Sequence, residues 1–224
     1  MRRRLRLPVL VAGSTCPGTH RDRNNRTMQV PLDQFGDHLC SCTNTGRPQR
    51  RALPFERAWA QIFREAGANV QPKPFVRDLG LAGSSDSDNR QLDFLATGTT
   101  VHGGLPIACD PTLGSVLDYK GVPHSGGVFK NTRNKKEGTY SDVVASGRVA
   151  LVVLAALTGG RLSDEAAQVL RALVAQKTEG APRLLRGSFQ QVFSHRWWGI
   201  LSCAVQRATA ALLQECFPPI AGPW

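Results

Sequence analysis

The apolar run at residues 149–157 (VALVVLAAL) constrains the fold of this chain more than any other feature. An uninterrupted run of this kind is typical of a strand buried on both faces, because a half-exposed strand would alternate apolar and polar side chains. The run ends at Gly159–Gly160 and is far shorter than the roughly 18 residues of a membrane-spanning helix. We therefore expect an α/β protein with no membrane-spanning segment.

Helical and strand patterns on either side of this run predict the other elements. A helix is predicted to start at Pro54, a favoured first-turn residue, and to stop at Gly67. Two short apolar segments, 92–96 and 105–109, predict a hairpin whose loop is 98–104. Residues 70–76 are predicted to form an edge strand or, because of Pro72 and Pro74, a loop. The other predicted elements are a helix within 126–140, a helix capped by Ser163, and a last helix from Ser188 to Cys216.

The predicted order is helix, three strands, helix, strand and then helices. A dinucleotide-binding fold requires strict strand–helix alternation and a glycine-rich first turn, and the sequence has neither. It also lacks the GxxxxGK[ST], GxSxG and HExxH motifs. We divide the chain into a basic, irregular segment at 1–53, an α/β core at 54–160 and a helical C-terminal segment at 161–217.

Positive charge is concentrated at the N-terminus. The formal net charge is +11, and residues 1–57 supply +7 of it, with 11 Arg against 4 Asp and Glu. Such a segment attracts polyanions, of which DNA and RNA are the commonest, although a solvated tail is the alternative. The acid-poor start at 1–12 also fits a mitochondrial leader. Six cysteines without regular spacing favour a reducing compartment over a disulfide scaffold.

Two aspartates mark the candidate site. Asp93 and Asp110 lie in or at the end of the two apolar segments, where an ionised carboxylate is costly unless a cation compensates it. Brought together across a hairpin, they would be the minimum for binding Mg²⁺ or Mn²⁺. A downstream lysine could then stabilise charge on a phosphate, and Lys120, Lys135 and Lys136 are the candidates. Alternatively, both aspartates cap backbone groups at strand ends.

Three segments resemble a known family: Arg90–Asp93 (RQLD), Ala108–Thr112 (ACDPT) and Lys136–Tyr140 (KEGTY). They are similar to the restriction-like endonuclease domain of site-specific non-long-terminal-repeat retrotransposons, which belongs to the PD-(D/E)XK nucleases. The resemblance covers most of residues 31–216. It implies an α-β-β-β-α-β core with a mixed sheet, followed by C-terminal helices. In the parent elements a reverse transcriptase precedes this domain in one polyprotein.

The resemblance also implies a chemistry and the residues that perform it. Asp93 and Asp110 would be the Mg²⁺ (or Mn²⁺) ligands, and Lys136 the active-site lysine, moved from the strand onto the following helix. Tyr140, four residues later, would pack against or orient this lysine, and Glu56 on the opening helix would be an auxiliary acid. The implied activity is nicking of target DNA by metal-activated water in the nucleus.

The chain departs from the family pattern at three places. Thr112 stands where many of these nucleases have their lysine, Pro111 follows the second carboxylate directly, and residues 126–134 contain little alanine. The alternative function is therefore a catalytically decayed, nucleic-acid-binding remnant. A third interpretation is an organellar protein whose likeness to the family is accidental.

A zinc site is a separate prediction. Residues 32–42 (LDQFGDHLCSC) resemble the zinc-knuckle-like segment that precedes the nuclease in the same elements, with His38 and Cys42 matching its "GDH…C" ending. A structural zinc requires four nitrogen or sulfur ligands. Cys16 and His20 offer the second pair, because both pairs share a three-residue gap. The family more often has two closely spaced cysteines there, so the alternative is a decayed knuckle with ordinary thiols.

Overall fold

A computed structural model describes residues 13–33, 38–39, 42, 44, 48–81, 85–117, 122 and 127–214. Near the N-terminus, strands β1 (His20–Arg21) and β2 (Thr27–Met28) form a small antiparallel hairpin. The remainder is a mixed α/β structure with a four-stranded sheet and C-terminal helices. Its elements are α1 (Pro48–Glu65), β3 (Asn69–Pro72), β4 (Phe94–Thr97), β5 (Ile107–Gly114), α2 (Val128–Thr139), α3 (Ser141–Ser146), β6 (Ala150–Leu157), α4 (Asp164–Thr178) and α5 (Arg186–Gln214).

The sheet is mixed and has the strand order β3-β4-β5-β6. Strands β3, β4 and β5 pair antiparallel, which confirms the predicted hairpin. The strand predicted at 70–76 lies at the edge of the sheet, but it ends at Pro72. Strand β6 runs parallel to β5 over eight residue pairs, from Ile107↔Ala150 to Gly114↔Leu157. The interior of β6 is buried, as the apolar run predicts.

Helices cover both faces of the sheet. On one face α1, α4 and α5 pack against the strands around Trp59, Phe94 and Trp197, each at most 1% exposed. On the other face a smaller cluster around Tyr140 and Val143 brings in α3. The larger cluster is continuous between the predicted segments 54–160 and 161–217, so these form one packed unit. No helix in the described part of the chain is both long and apolar enough to cross a membrane.

The start of α1 differs from the prediction. The helix begins at Pro48, six residues before Pro54, which lies inside it. The preference for proline in the first turn therefore applies to Pro48. Pro54 lies inside the helix, about 1.7 turns later. Helix α4 follows the predicted cap, since the Ala166 N–H donates to Ser163 Oγ at 3.2 Å. Residues 1–12, Lys120 and Cys216 lie outside the described part of the chain.

Pro111 is tolerated inside β5 because of where β4 stops. The β4–β5 pairing ends at the Phe94↔Cys109 pair, two residues before Pro111. Beyond that point β5 is paired with β6 alone in the described structure, through Pro111↔Leu154 and the pairs that follow. A proline has no N–H to donate, so it fits where the strand edge has lost its neighbour.

Glu65 joins the end of α1 to α5. Its carboxylate accepts hydrogen bonds from the Arg196 guanidinium at 2.8 and 3.0 Å and from the buried Trp197 indole at 2.8 Å. The bonds from Arg196, chiefly, lower the pKa of Glu65 to about 2. A carboxylate with a lowered pKa stabilises the fold above its ordinary pKa and loses that contribution as the pH falls towards 2.

We expect Glu65→Gln to lower the free energy of unfolding at pH 7 by about 1–2 kcal/mol, the range for charge-assisted hydrogen bonds at a partly exposed site. Between pH 4.5 and 2 the parent should lose this advantage, so that the two proteins converge. Urea unfolding at pH 7 and at pH 2.5 measures both effects. Glu179→Gln, at an exposed position, is the control. A parent–variant gap that stays constant with pH would contradict this role of Glu65.

Candidate active site and metal centre

Asp93 and Asp110 lie beside each other at the point where the pairing of β4 with β5 ends. The register pairs Phe94 with Cys109, and one further pair places Asp93, immediately before β4, opposite Asp110 in β5. Side chains alternate along a strand, so Asp110 is on the same face as Ala108, the face covered by α3. The charge of Asp110 also raises the pKa of Asp93. The two carboxylates that the sequence predicted to converge are therefore neighbours.

Asp110 is held by one lysine and one hydroxyl. Its side chain is 3% exposed, and Oδ2 lies 2.6 Å from the ammonium of Lys136 on α2. Thr112 Oγ1 donates to Oδ1 at 2.9 Å. A buried carboxylate is tolerated only when it is paired in this way. Of the two adjacent lysines that the sequence left open, Lys136 contacts the carboxylate, whereas Lys135 is exposed.

A second lysine, Lys73, was missed by the sequence analysis. Its ammonium lies 2.9 Å from Glu56 Oε2 and 2.8 Å from Asp93 Oδ1, so it joins α1 to the hairpin. The backbone of Lys73 has φ = 50°, a left-handed conformation that is uncommon outside glycine and costs about 1–3 kcal/mol. Lys73 stands between Pro72 and Pro74, and nothing in this local context identifies it as a partner of Glu56 and Asp93.

The pKa shifts show that the site is rich in buried negative charge. Burial raises the pKa of Asp93, the hydrogen bond from Lys73 opposes that change, and the charge of Asp110 adds to it. Burial likewise raises the pKa of Glu56, with a further contribution from the charge of Asp93. Burial alone would lower the pKa of Lys73, but its hydrogen bonds to Asp93 and Glu56 outweigh that effect and raise it. Three carboxylates therefore share two ammonium groups, an arrangement that favours a further cation.

Tyr140 positions the backbone that carries Asp93. Its hydroxyl donates to the Gln91 carbonyl at 2.9 Å. Burial raises the pKa of Tyr140 to about 12, with additional contributions from the charges of Asp110 and Asp93, so the phenol keeps its proton. Arg90 strengthens the same connection, because it pairs with Asp142 on α3 at 2.7 Å. Together these contacts attach the segment before β4 to the junction of α2 and α3.

Arg133 attaches α2 to the sheet. This helix has no fully buried residue, so apolar packing alone holds it only weakly. Arg133 donates to the Leu151 carbonyl at 3.0 Å and pairs with Glu165 of α4, which also accepts from the Val153 N–H. These groups occupy the outer edge of β6, where the sheet would otherwise expose unpaired backbone. Since Lys136 is three residues after Arg133, the two side chains share a helix face, and docking one places the other.

The predicted zinc ligands form a cluster. One ligand atom from each of Cys16, His20, His38 and Cys42 lies within 4.8 Å of all the others. The two Sγ atoms are 3.7 Å apart, and His20 Nε2 is 3.2 Å from Cys16 Sγ and 3.5 Å from Cys42 Sγ. A tetrahedral zinc would hold its sulfurs about 3.8 Å apart and a sulfur and a nitrogen about 3.6 Å apart. This group could therefore bind a metal such as zinc.

Outer contacts orient these ligands. The Gly18 N–H donates to Cys16 Sγ at 3.4 Å, and the Asn44 amide lies 3.2 Å from Nδ1 of His20. The N–H of His38 donates to Asp33 at 2.8 Å. Metal ligands commonly have such outer partners, which fix ring orientation. The sulfur separation is far beyond the roughly 2.05 Å of a disulfide, so both thiols are available as ligands.

The geometry thus comprises two centres, an acidic cluster crossed by two lysines and a compact Cys/His group. We compared the chain with models of protein families and with curated proteins, and neither comparison found a match.

Proposed function

We propose that this chain is the endonuclease part of a retroelement and hydrolyses a phosphodiester bond of DNA, with Mg²⁺ or Mn²⁺ at Asp93 and Asp110. The observation that carries the proposal is the position of these aspartates, each one residue beyond the last β4–β5 pair, Phe94↔Cys109, with Lys136 bound to Asp110. The order of elements, a helix, three strands, helical segments and a parallel strand, supports a restriction-endonuclease-like core. In the parent element, a reverse transcriptase would extend the nick.

The donor set suits a hard divalent cation. Magnesium in phosphoryl-transfer sites is usually bound through one or two carboxylates and keeps its other positions for water and phosphate oxygens. When bound there, the ion would lower the pKa of its water and stabilise negative charge on the phosphate. If the ion displaced the ammonium of Lys136 from Asp110, a carboxylate oxygen would become available to the ion. The lysine would then be available to the phosphate.

The chain's own residues then have distinct tasks. Lys136 provides a positive charge beside the scissile phosphate, where it stabilises the developing charge. Lys73 holds Asp93 and Glu56 in one arrangement before substrate arrives. Tyr140 keeps the backbone at Gln91 in place and thereby the position of Asp93. The site needs no histidine or cysteine from the described residues.

Charge supports a nucleic acid as the ligand. DNA is the first choice because of the proposed activity, and RNA is the second. The net charge of +11 favours any polyanion, and the Cys/His group would hold the N-terminal segment in one conformation. Acting on chromosomal DNA would place the protein in the nucleus. A mitochondrial location is the alternative.

One observation favours a second candidate, a non-catalytic nucleic-acid-binding remnant. Asp93 and Asp110 already have ammonium partners, so their negative charges are compensated without a metal. In such a remnant the lysines would be permanent structural partners of the aspartates. The two candidates differ in one respect, which is whether a divalent ion can enter the cluster.

Nicking of supercoiled plasmid separates them. The purified chain is incubated with plasmid and Mg²⁺, Mn²⁺ or Ca²⁺, and the relaxed form is quantified. We expect relaxation with Mg²⁺ or Mn²⁺, and none with Asp110→Asn purified in parallel. Asp164→Asn, in the exposed first turn of α4, is the matched control for loss of one carboxylate. Equal nicking by parent and Asp110→Asn would exclude the proposed site, whereas DNA binding without nicking would favour the remnant.

A further inference from the structure

A groove between α1 and α5 lies outside the acidic cluster. It is lined by the small or apolar side chains of Ala58, Ile200 and Ala204, and by Gly199 and Cys203 of α5. Small residues at these helix positions leave a depression of about 630 Å³ between the two helices. Clefts that bind ligands usually have volumes of about 300–1,000 Å³, so this depression is large enough to hold part of a bound molecule.

Both banks of this groove carry arginine. Arg57 lines it on α1 and Arg207 lines it on α5, and both are exposed. Arg64 continues the α1 bank, because it lies two helical turns after Arg57, about 10 Å along the axis. At roughly 3.4 Å of rise per nucleotide, that distance spans about three phosphates of one DNA strand.

The acidic residues of these two helices are already engaged. Helix α5 contains no Asp or Glu, and the glutamates of α1 are bonded elsewhere, Glu56 to Lys73 and Glu65 to Arg196. Within the described part of the chain, no carboxylate forms an ion pair with Arg57 or Arg207. The groove is thus a concave surface with two exposed arginines that form no ion pair among the described residues, which is complementary to a polyanion.

We propose that this groove binds the DNA backbone beside the cleavage site. Glu56 faces the acidic cluster, and Arg57, the next residue on α1, faces the groove. A strand whose scissile phosphate lies at Asp110 would therefore have the groove as a neighbouring positive surface on the same helix, α1. This inference rests on the proposed function only in taking DNA as the ligand; it does not require that the chain cuts DNA.

The first test measures binding without catalysis. A fluorescent DNA duplex is titrated with the full chain in a buffer without added divalent cations, at several salt concentrations. For Arg57→Gln/Arg207→Gln we expect affinity at least about tenfold weaker, and a slope of log affinity against log salt that is shallower by about two. The matched control is Arg171→Gln/Arg183→Gln, which removes the same charge from exposed positions outside the groove.

The second test uses Cys203 as a reporter. This exposed thiol lies in the groove, so bound DNA should slow its reaction with N-ethylmaleimide, as measured by peptide mass spectrometry. A cysteine introduced at Val192, an exposed α5 position outside the groove, should react equally fast with and without DNA.

Three outcomes would overturn the groove proposal: equal loss of affinity in both double variants, unprotected Cys203, or polyglutamate binding that requires these arginines while DNA binding does not. The last outcome would assign the groove to an acidic protein. Groove-dependent DNA binding by a chain that never nicks would leave the groove proposal intact and contradict the nuclease alone.

Discussion

Asp110→Asn should nick DNA at least about 1000-fold more slowly than the parent, and Lys136→Met about 100- to 1000-fold more slowly. A bound divalent ion contributes several kcal/mol to transition-state stabilisation, and each 1.36 kcal/mol is a factor of ten in rate. Asp110 is the most buried of the three carboxylates, with a side chain only 3% exposed, so no neighbouring solvent-exposed group can replace it. Removing one preorganised donor to a developing oxyanion costs about 100- to 1000-fold, and Lys136 is that donor in the proposed site.

Lys135→Met is the matched control for Lys136→Met. It removes the same charge one residue away, from an exposed side chain, and should change the nicking rate less than about twofold. Initial rates of plasmid relaxation at saturating Mg²⁺ measure all three variants, and thermal unfolding of each shows that the fold persists. Equal losses for Lys135→Met and Lys136→Met would mean that general positive charge matters and would contradict the assignment of Lys136.

The acidic pair could be predicted from sequence for a simple physical reason. A carboxylate inside an apolar segment is anomalous, and two such segments joined by a short loop pair as a hairpin. The exact register could not be predicted, yet it decides whether Asp93 and Asp110 share a face. Pro111 illustrates the same limit, since it is acceptable because the pairing of β4 with β5 goes no further than Phe94↔Cys109.

Lys73 and Arg133 could not be identified because their roles depend on distant partners. Lys73 reaches Glu56 and Asp93 from a left-handed backbone conformation, which no local pattern of a lysine between prolines predicts. Arg133 is one of several basic residues on a polar helix, and only the position of β6 and Glu165 distinguishes it. A sequence shows which side chains are costly to bury, whereas the fold decides which of them meet.

The four Cys and His side chains that could bind zinc follow the opposite pattern, because local spacing carries most of the information. Cys16 and His20, and likewise His38 and Cys42, are four positions apart, and each pair converges within its own turn. Only the meeting of the two pairs is a tertiary event. The bridge between Thr15 and Pro31 brings the chain that leads to His38 alongside the segment that carries Cys16.

Removing zinc should unfold the N-terminal module, residues 13–44, while the α/β core stays folded. The described apolar cluster of this module consists of Cys16, Leu39 and Cys42 with two partly buried neighbours, too little to offset the entropy of ordering it. Structural zinc contributes about 10–16 kcal/mol in small domains, so folding of the module should be coupled to the ion. Hydrogen exchange with and without a chelator should show protection lost in this module and retained in β5 and β6.

Cys42→Ser tests the same site without a chelator. The variant should bind less than one zinc per chain and be cleaved by protease within residues 13–44, whereas the parent binds one zinc and resists. Cys203→Ser is the matched control, since it removes an exposed thiol far along the sequence and should leave zinc content unchanged. If the parent and Cys42→Ser were both purified with one equivalent of zinc, the metal would bind elsewhere in the chain. A parent that never binds zinc, with a protected N-terminal module, would show that the four side chains pack together without an ion.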